Sequence, residues 1–211
     1  MIGLIKKDFL ILKSNLKVFL IVVAISIFWG LQGNIENALF ILPIMVVMIF
    51  LSTFSYDEVS NWNTYAISLP NGRRNVIKAK YISSIILLLI TFIIMLVIAI
   101  FTIKTGSNNM TQSMIISDLI GGSIGAIISI SLLYPFMIKY GAINGRIIVF
   151  AFIMGIGGIG YILPKIVKLS YITNFIDSLG NRVYLYIFIL VVLILLGSYL
   201  ISNKIYTSKE F

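Results

Sequence analysis

The residues in this chain that could do chemistry are few, and most fall in one segment. Between Tyr56 and Tyr81 stand Asp57 and Glu58, the rings of Trp62 and Tyr65, a Leu69-Pro70-Asn71-Gly72 turn, and the cations Arg73, Arg74, Lys78 and Lys80. Adjacent carboxylates suit acid–base catalysis only beside a nucleophile, a base or metal ligands. The chain has no His and no Cys, and its long apolar runs hold no Lys or carboxylate in their interiors. Asp118 stands at the margin of one such run without a second acid, so a proton relay lacks its parts. Ser52, Ser83, Ser84, Ser129 and Ser131 read as hydroxyls that bond to backbone rather than as nucleophiles. No catalytic, cofactor-binding or metal-ligating set emerges. What the segment can do is bind. Glu58, Trp62, Tyr65 and Leu69 follow one another at offsets of four, three and four, which puts a charge and two large rings on one helix face. Acidic residues favour a helix start, so Asp57 and Glu58 predict a short helix over 57–67, closed by Leu69-Pro70. Two readings of its aromatic face stay open: anchors for another protein, or rings resting in the lipid headgroup layer.

The elements that must position this segment are membrane spans. Of 211 residues, 60% are hydrophobic and only 11% charged, too little polar surface to wrap a water-soluble enzyme. Charge-free runs at 18–35, 37–56, 81–103, 119–138, 147–163 and 183–203 predict six transmembrane helices in one all-α, polytopic domain covering 1–211. Residues 1–16 carry Ile5, Phe9, Leu12 and Leu16 on one arc and Lys6, Lys13 and Lys17 beside it, which predicts an amphipathic interfacial helix rather than a cleavable leader. Small residues recur at helical spacing, Gly121, Gly125 and Ser129 in the fourth span and Ala151, Gly155 and Gly158 in the fifth. Such stripes let helices approach closely, within one protomer or across a dimer. Twelve Lys and Arg fall on the side holding both termini and the 57–80 segment, against four on the other, so both termini are expected in the cytoplasm. That asymmetry accounts for the net charge of +9 without a nucleic-acid partner.

Asp57-Glu58, Trp62, Tyr65, Ser68-Leu69-Pro70, Arg73 and Lys80-Tyr81 together resemble the cytoplasmic signature of ABC (ATP-binding-cassette) exporter permeases of the type-two family, in their small six-span branch. The opening Leu4–Lys13 looks like that branch's amphipathic start, and Pro135, Lys139-Tyr140-Gly141 and Arg146 are similar to its second cytoplasmic loop. Overall similarity is greatest to membrane subunits of exporters of phenol-soluble modulins, which are short amphipathic peptides. The resemblance implies a multi-pass subunit of the bacterial cytoplasmic membrane that binds a separate ATPase through the helix after span two and pairs with a second permease copy or paralogue. ATP and Mg would sit in the ATPase chain and no cofactor in this one. In agreement, no G-x-x-x-x-G-K-[ST] occurs, and Gly155, Gly157, Gly158 and Gly160 lie in an apolar run without the strand or acidic partner a nucleotide site needs. The implied cargo is an amphipathic or hydrophobic molecule such as a cytotoxic or antimicrobial peptide. A sensor or immunity subunit that binds such peptides without moving them, and an exporter of lipid-linked cargo, are the competing functions.

The charge asymmetry makes a direct prediction. Cysteines placed at Ser14 and Asn75 should be shielded from impermeant thiol reagents in intact cells while one at Asn108 reacts, and the reverse pattern would invert the topology.

Overall fold

The computed structural model describes residues 2–68, 72–105, 111–166 and 182–209. Among these described residues seven helices follow in order: α1 (Ile2–Ser14), α2 (Leu16–Leu31), α3 (Ile35–Val59), α4 (Trp62–Ser68), α5 (Gly72–Thr105), α6 (Gln112–Ile166) and α7 (Arg182–Ser208). There is no strand among the described residues. Helices suit a bilayer because each satisfies its own backbone groups where no water can. α3, α5, the stretch Ser113–Ala142 of α6 and most of α7 are long and apolar enough to cross a membrane. α1 and α2, bent at 64°, would make a fifth span if taken together.

Several boundaries depart from the sequence reading. The first run was expected to continue to 35, but α2 ends at Leu31 because Gly33 takes a left-handed φ of 87° and Asn34 N–H returns to the Trp29 carbonyl. Glu36 therefore sits in the first turn of α3, where an acid complements the helix dipole. At about 1.5 Å per residue, α2 alone covers only ~24 Å, short of the ~30 Å hydrocarbon core. The expected fifth run, 147–163, is helical within α6, with most of its side chains outside the described residues. The loop expected between spans four and five is instead a break at a single residue, Gly141, inside α6.

Two buried apolar clusters fill the bundle. One, near α4, gathers Phe50, Phe54, Ile77, Tyr81 and Tyr134 with Leu12 of α1 and Tyr206 of α7. The other, toward the opposite end, joins Val22, Ile35, Leu39, Leu42, Met95 and Ile115. Tyr134 is the hub of the first: Phe50 stacks on it at 5.7 Å, and Phe54 and Tyr81 meet its edge at 5.1 and 4.9 Å. α7 is tied in by hydroxyls. Tyr81 Oη lies 2.6 Å from Ser198 Oγ and 2.9 Å from Ser202 Oγ, and Ser198 donates to the Ser131 carbonyl. Interhelical bonds of this kind matter in a bilayer, where burying apolar surface gives no preference for protein over lipid. Gly30 lets α2 close on α5, since a Cβ there would stand 2.7 Å from Thr102 Cγ2.

Candidate functional site

Four charged side chains meet where α1, α3 and α5 converge. Lys7 Nζ lies 2.5 Å from Asp57 Oδ1 and 3.3 Å from Asp8 Oδ1, while Lys80 Nζ lies 2.7 Å from Asp57 Oδ2 and 3.5 Å from Asp8 Oδ1. Asp8, Asp57 and Lys80 are buried and Lys7 is largely so. Ser83 donates to Asp8 Oδ2 at 3.1 Å, and Thr53 Oγ1 accepts from Lys80 at 3.2 Å. The set is neutral, two cations against two anions, which is the condition for holding charge in a site that excludes water. Lys80 Nζ also lies 4.5 Å from the Phe54 ring centre, and Lys7 Nζ 4.7 Å from that of Trp62.

Beside the quartet, α6 is broken and re-capped. Gly141 adopts φ 83°, ψ 173°, and the Ala142 N–H that opens the second limb donates to Glu58 Oε2 at 2.5 Å. A carboxylate suits that position because a helix start offers unpaired N–H groups. A Cβ at Gly141 would fall 2.9 Å from Glu58 Oε1, so a side chain there would strain the left-handed backbone and push the Glu58 carboxylate aside. On the other side of the break, Lys209 donates to the Ile138 carbonyl at 2.9 Å, taking up an acceptor at the end of the first limb. Tyr206 donates to Asn63 Oδ1 at 3.1 Å, so α7 also reaches α4. A cavity of about 270 Å³ lies among these parts, lined by Asp57, Glu58, Lys80, Gly141, Tyr206 and Lys209 among others.

The short helix was expected to begin at Asp57. Instead both acids belong to the last turn of α3, and Asn61, with φ 49°, turns the chain into α4 at Trp62. Acids are unfavourable at a helix end. Here Lys7 and Lys80 hold Asp57 and the Ala142 amide holds Glu58, so tertiary partners override the local preference. The two rings do not share one role either. They lie 5.2 Å apart, but Trp62 packs against the core cluster while Tyr65 is 57% exposed. Lys139 and Tyr140 are exposed on the last turn before the break. Arg73 and Arg146 fall in α5 and α6, and Leu69 and Pro70 lie outside the described residues.

The glycines also divide. A Cβ at Gly122 would press on the Leu39 carbonyl at 3.1 Å and Pro43 Cγ at 3.3 Å, so Gly122 is where α6 closes on α3. Gly121 and Gly125, expected to make a tight contact, would meet nothing within 4 Å. Ala151, Gly155 and Gly158 lie in the second limb of α6, where Ala151 is exposed. Ser52, Ser83, Ser84 and Ser129 all donate to carbonyls three or four residues back, as backbone-bonding hydroxyls do.

Residues 3–207 match the family model described as ABC-2 family transporter protein. The chain belongs to the ABC-2 transporter family. It is thus a multi-pass permease subunit of an ABC transporter, a system in which an ATPase partner supplies the energy. No curated protein and no solved structure matches it.

The quartet and the re-capped break both engage the last turn of α3, which leads into α4. The part sequence reasoning missed is the pairing of Lys7 and Lys80 with both Asp57 and Asp8. The available signal was the placement of Asp57 and Lys80, opposite charges at the edges of the 37–56 and 81–103 runs on the same side of the bundle.

Replacing Asp57 with Ala leaves two cations facing one carboxylate in a dry site and should destabilise the permease by about 3–5 kcal/mol. Asp57→Leu combined with Lys80→Met should recover much of that loss. Thermal aggregation of the detergent-solubilised chain reads both, and equal loss in the single and double variants would exclude coupling between the pair.

Proposed function

We propose that this permease is the membrane half of an exporter in which α4 is the coupling helix, docked on the ATPase at the cytoplasmic face. On this reading both termini are cytoplasmic, six spans cross a bacterial plasma membrane, two permeases form the pathway, and ATP and Mg are handled wholly by the ATPase chains. The observation that carries it is the mounting of α4. Its Trp62 is packed on the core and its Asn63 is bonded to α7, while Tyr65 is left exposed. A helix held on one side and bare on the other suits a docking element better than a free loop, and it favours the protein-anchor reading of Tyr65 over a headgroup belt.

Coupling then follows from the joints. Closure of the ATPases displaces α4, which moves with the end of α3. The Glu58 carboxylate passes that displacement to the second limb of α6 through Ala142, and Asp57 passes it to α1 and α5 through Lys7 and Lys80. The cargo on this reading is an amphipathic peptide, drawn from the leaflet in which such peptides already partition. Phenol-soluble modulins belong to that chemical class.

Two variants separate docking from coupling. Tyr65→Ala should weaken ATPase association by about 2 kcal/mol with the chain still stable, whereas Trp62→Ala should lower stability instead. Retained co-purification with Tyr65→Ala would remove α4 as the dock. Gly141→Ala should keep the ATPase bound yet lose cargo-stimulated hydrolysis, because the Glu58 cap no longer fits. Unchanged stimulation would place the coupling elsewhere.

A further inference from the structure

A groove of about 770 Å³ runs between α3 and the first limb of α6, at the end of the bundle away from the quartet. Glu36 and Asp57 lie at opposite ends of α3, 21 residues or about 30 Å apart, so the groove begins near the far membrane face and descends from there. Its walls are apolar, formed by Phe40, Ile44 and Met48 on α3 and Leu132 on α6. Gly121 and Gly125 form an open floor that no other part of the chain covers among the described residues. Its upper end is acidic. Glu36 is exposed there, and Asp118 is half-buried, with Oδ2 closed to solvent and without a hydrogen-bond partner among the described residues. None of the residues described as lining the groove is Lys or Arg.

A carboxylate oxygen shut away from water without a donor is costly, and in a chain of net charge +9 the missing partner is not supplied by the groove itself. The occupant that satisfies both parts has an apolar body and a cationic end. From Glu36 to Met48 the groove follows α3 for about 18 Å, the length of a helix of about twelve residues. We infer that this groove is a binding site for a cationic amphipathic peptide helix, with its amine end at Asp118 and Glu36 and its apolar face on the Gly121–Gly125 floor. The inference rests on the export reading above and gives its cargo a location and a charge preference.

The test uses the full chain in phosphatidylcholine nanodiscs with a photo-reactive phenylalanine at Phe40. The probes are a synthetic amphipathic helix bearing two N-terminal lysines and its uncharged analogue, with an acetylated terminus and glutamines in place of the lysines. The cationic probe should crosslink at Phe40 and bind about tenfold more tightly than the analogue. Asp118→Asn with Glu36→Gln should remove that preference, and Gly125→Leu should abolish the crosslink. Gly197→Leu, at an equally open glycine, should leave both unchanged. Crosslinks solely to phospholipid or to a second copy of the chain, or a preference that survives loss of both acids, would overturn the site. Peptide-stimulated hydrolysis in the ATPase complex separates the two readings. Stimulation that survives Gly125→Leu sinks the groove and leaves export standing, while a kept crosslink without any stimulation sinks export and leaves the groove.

Discussion

Charge cannot be left unpaired in a medium that does not solvate it, and at one end of this bundle four charges are taken out of water together. Lys7, Asp8, Asp57 and Lys80 come from three helices that share no local sequence, so their mutual neutralisation acts as a geometric instruction. α1 must lie across the ends of α3 and α5, and this is why it departs from α2 by 64° rather than continuing it. α5 must start its apolar course directly after Lys80, and α3 must run as far as Asp57 before it can stop. The aromatic hub at Tyr134 packs directly beside this joint, with Phe54 touching both Lys80 and Tyr134.

From that joint the architecture is carried by a different kind of contact. Between helices in lipid, packing and hydrogen bonds do the work that water exclusion does in a soluble core. Tyr81 links α5 to two serines of α7, and Ser198 passes the link to α6. Small residues set the spacing elsewhere, at Gly30 against Thr102 and at Gly122 against Leu39 and Pro43. The result is firm where helices cross through glycine or hydroxyl and open where they do not, as along Gly121 and Gly125.

Much of this was legible in the sequence because lipid imposes so simple a rule. Apolar runs of the right length mark spans, and α3, α5 and α7 lie where their runs predict. The failures share a cause. Asp57 and Glu58 read as a helix start because dipole complementarity is local, whereas the partners that hold them at a helix end, Lys7, Lys80 and the Ala142 amide, all lie on other helices. The segment at 139–146 read as a loop because charge and glycine usually mean one, and nothing nearby reveals that Glu58 will restart the helix at Ala142. Gly121 and Gly122 are neighbours of one type, yet only at Gly122 would a Cβ press on α3, and a one-residue rotation of a helix cannot be read from spacing alone. Family membership was legible through the ensemble of inner-segment residues, not through any one of them.

The separation of the quartet's members along the chain bears on how the protein is made. A nascent chain that has reached Asp57 holds Lys7 against two carboxylates, and the second cation arrives only when the start of α5 emerges. Until then the set of Lys7, Asp8 and Asp57 holds one anion more than it has cations, a poor state to bury. Lys80 completes the neutral set that joins the three helices. Tyr81, the next residue, is then already in place to receive Ser198, which follows 117 residues later. In chain order the charge set is complete at Lys80 before the Tyr81 hydroxyl can meet Ser198, so two adjacent residues carry the two kinds of tie that hold α5 in the bundle.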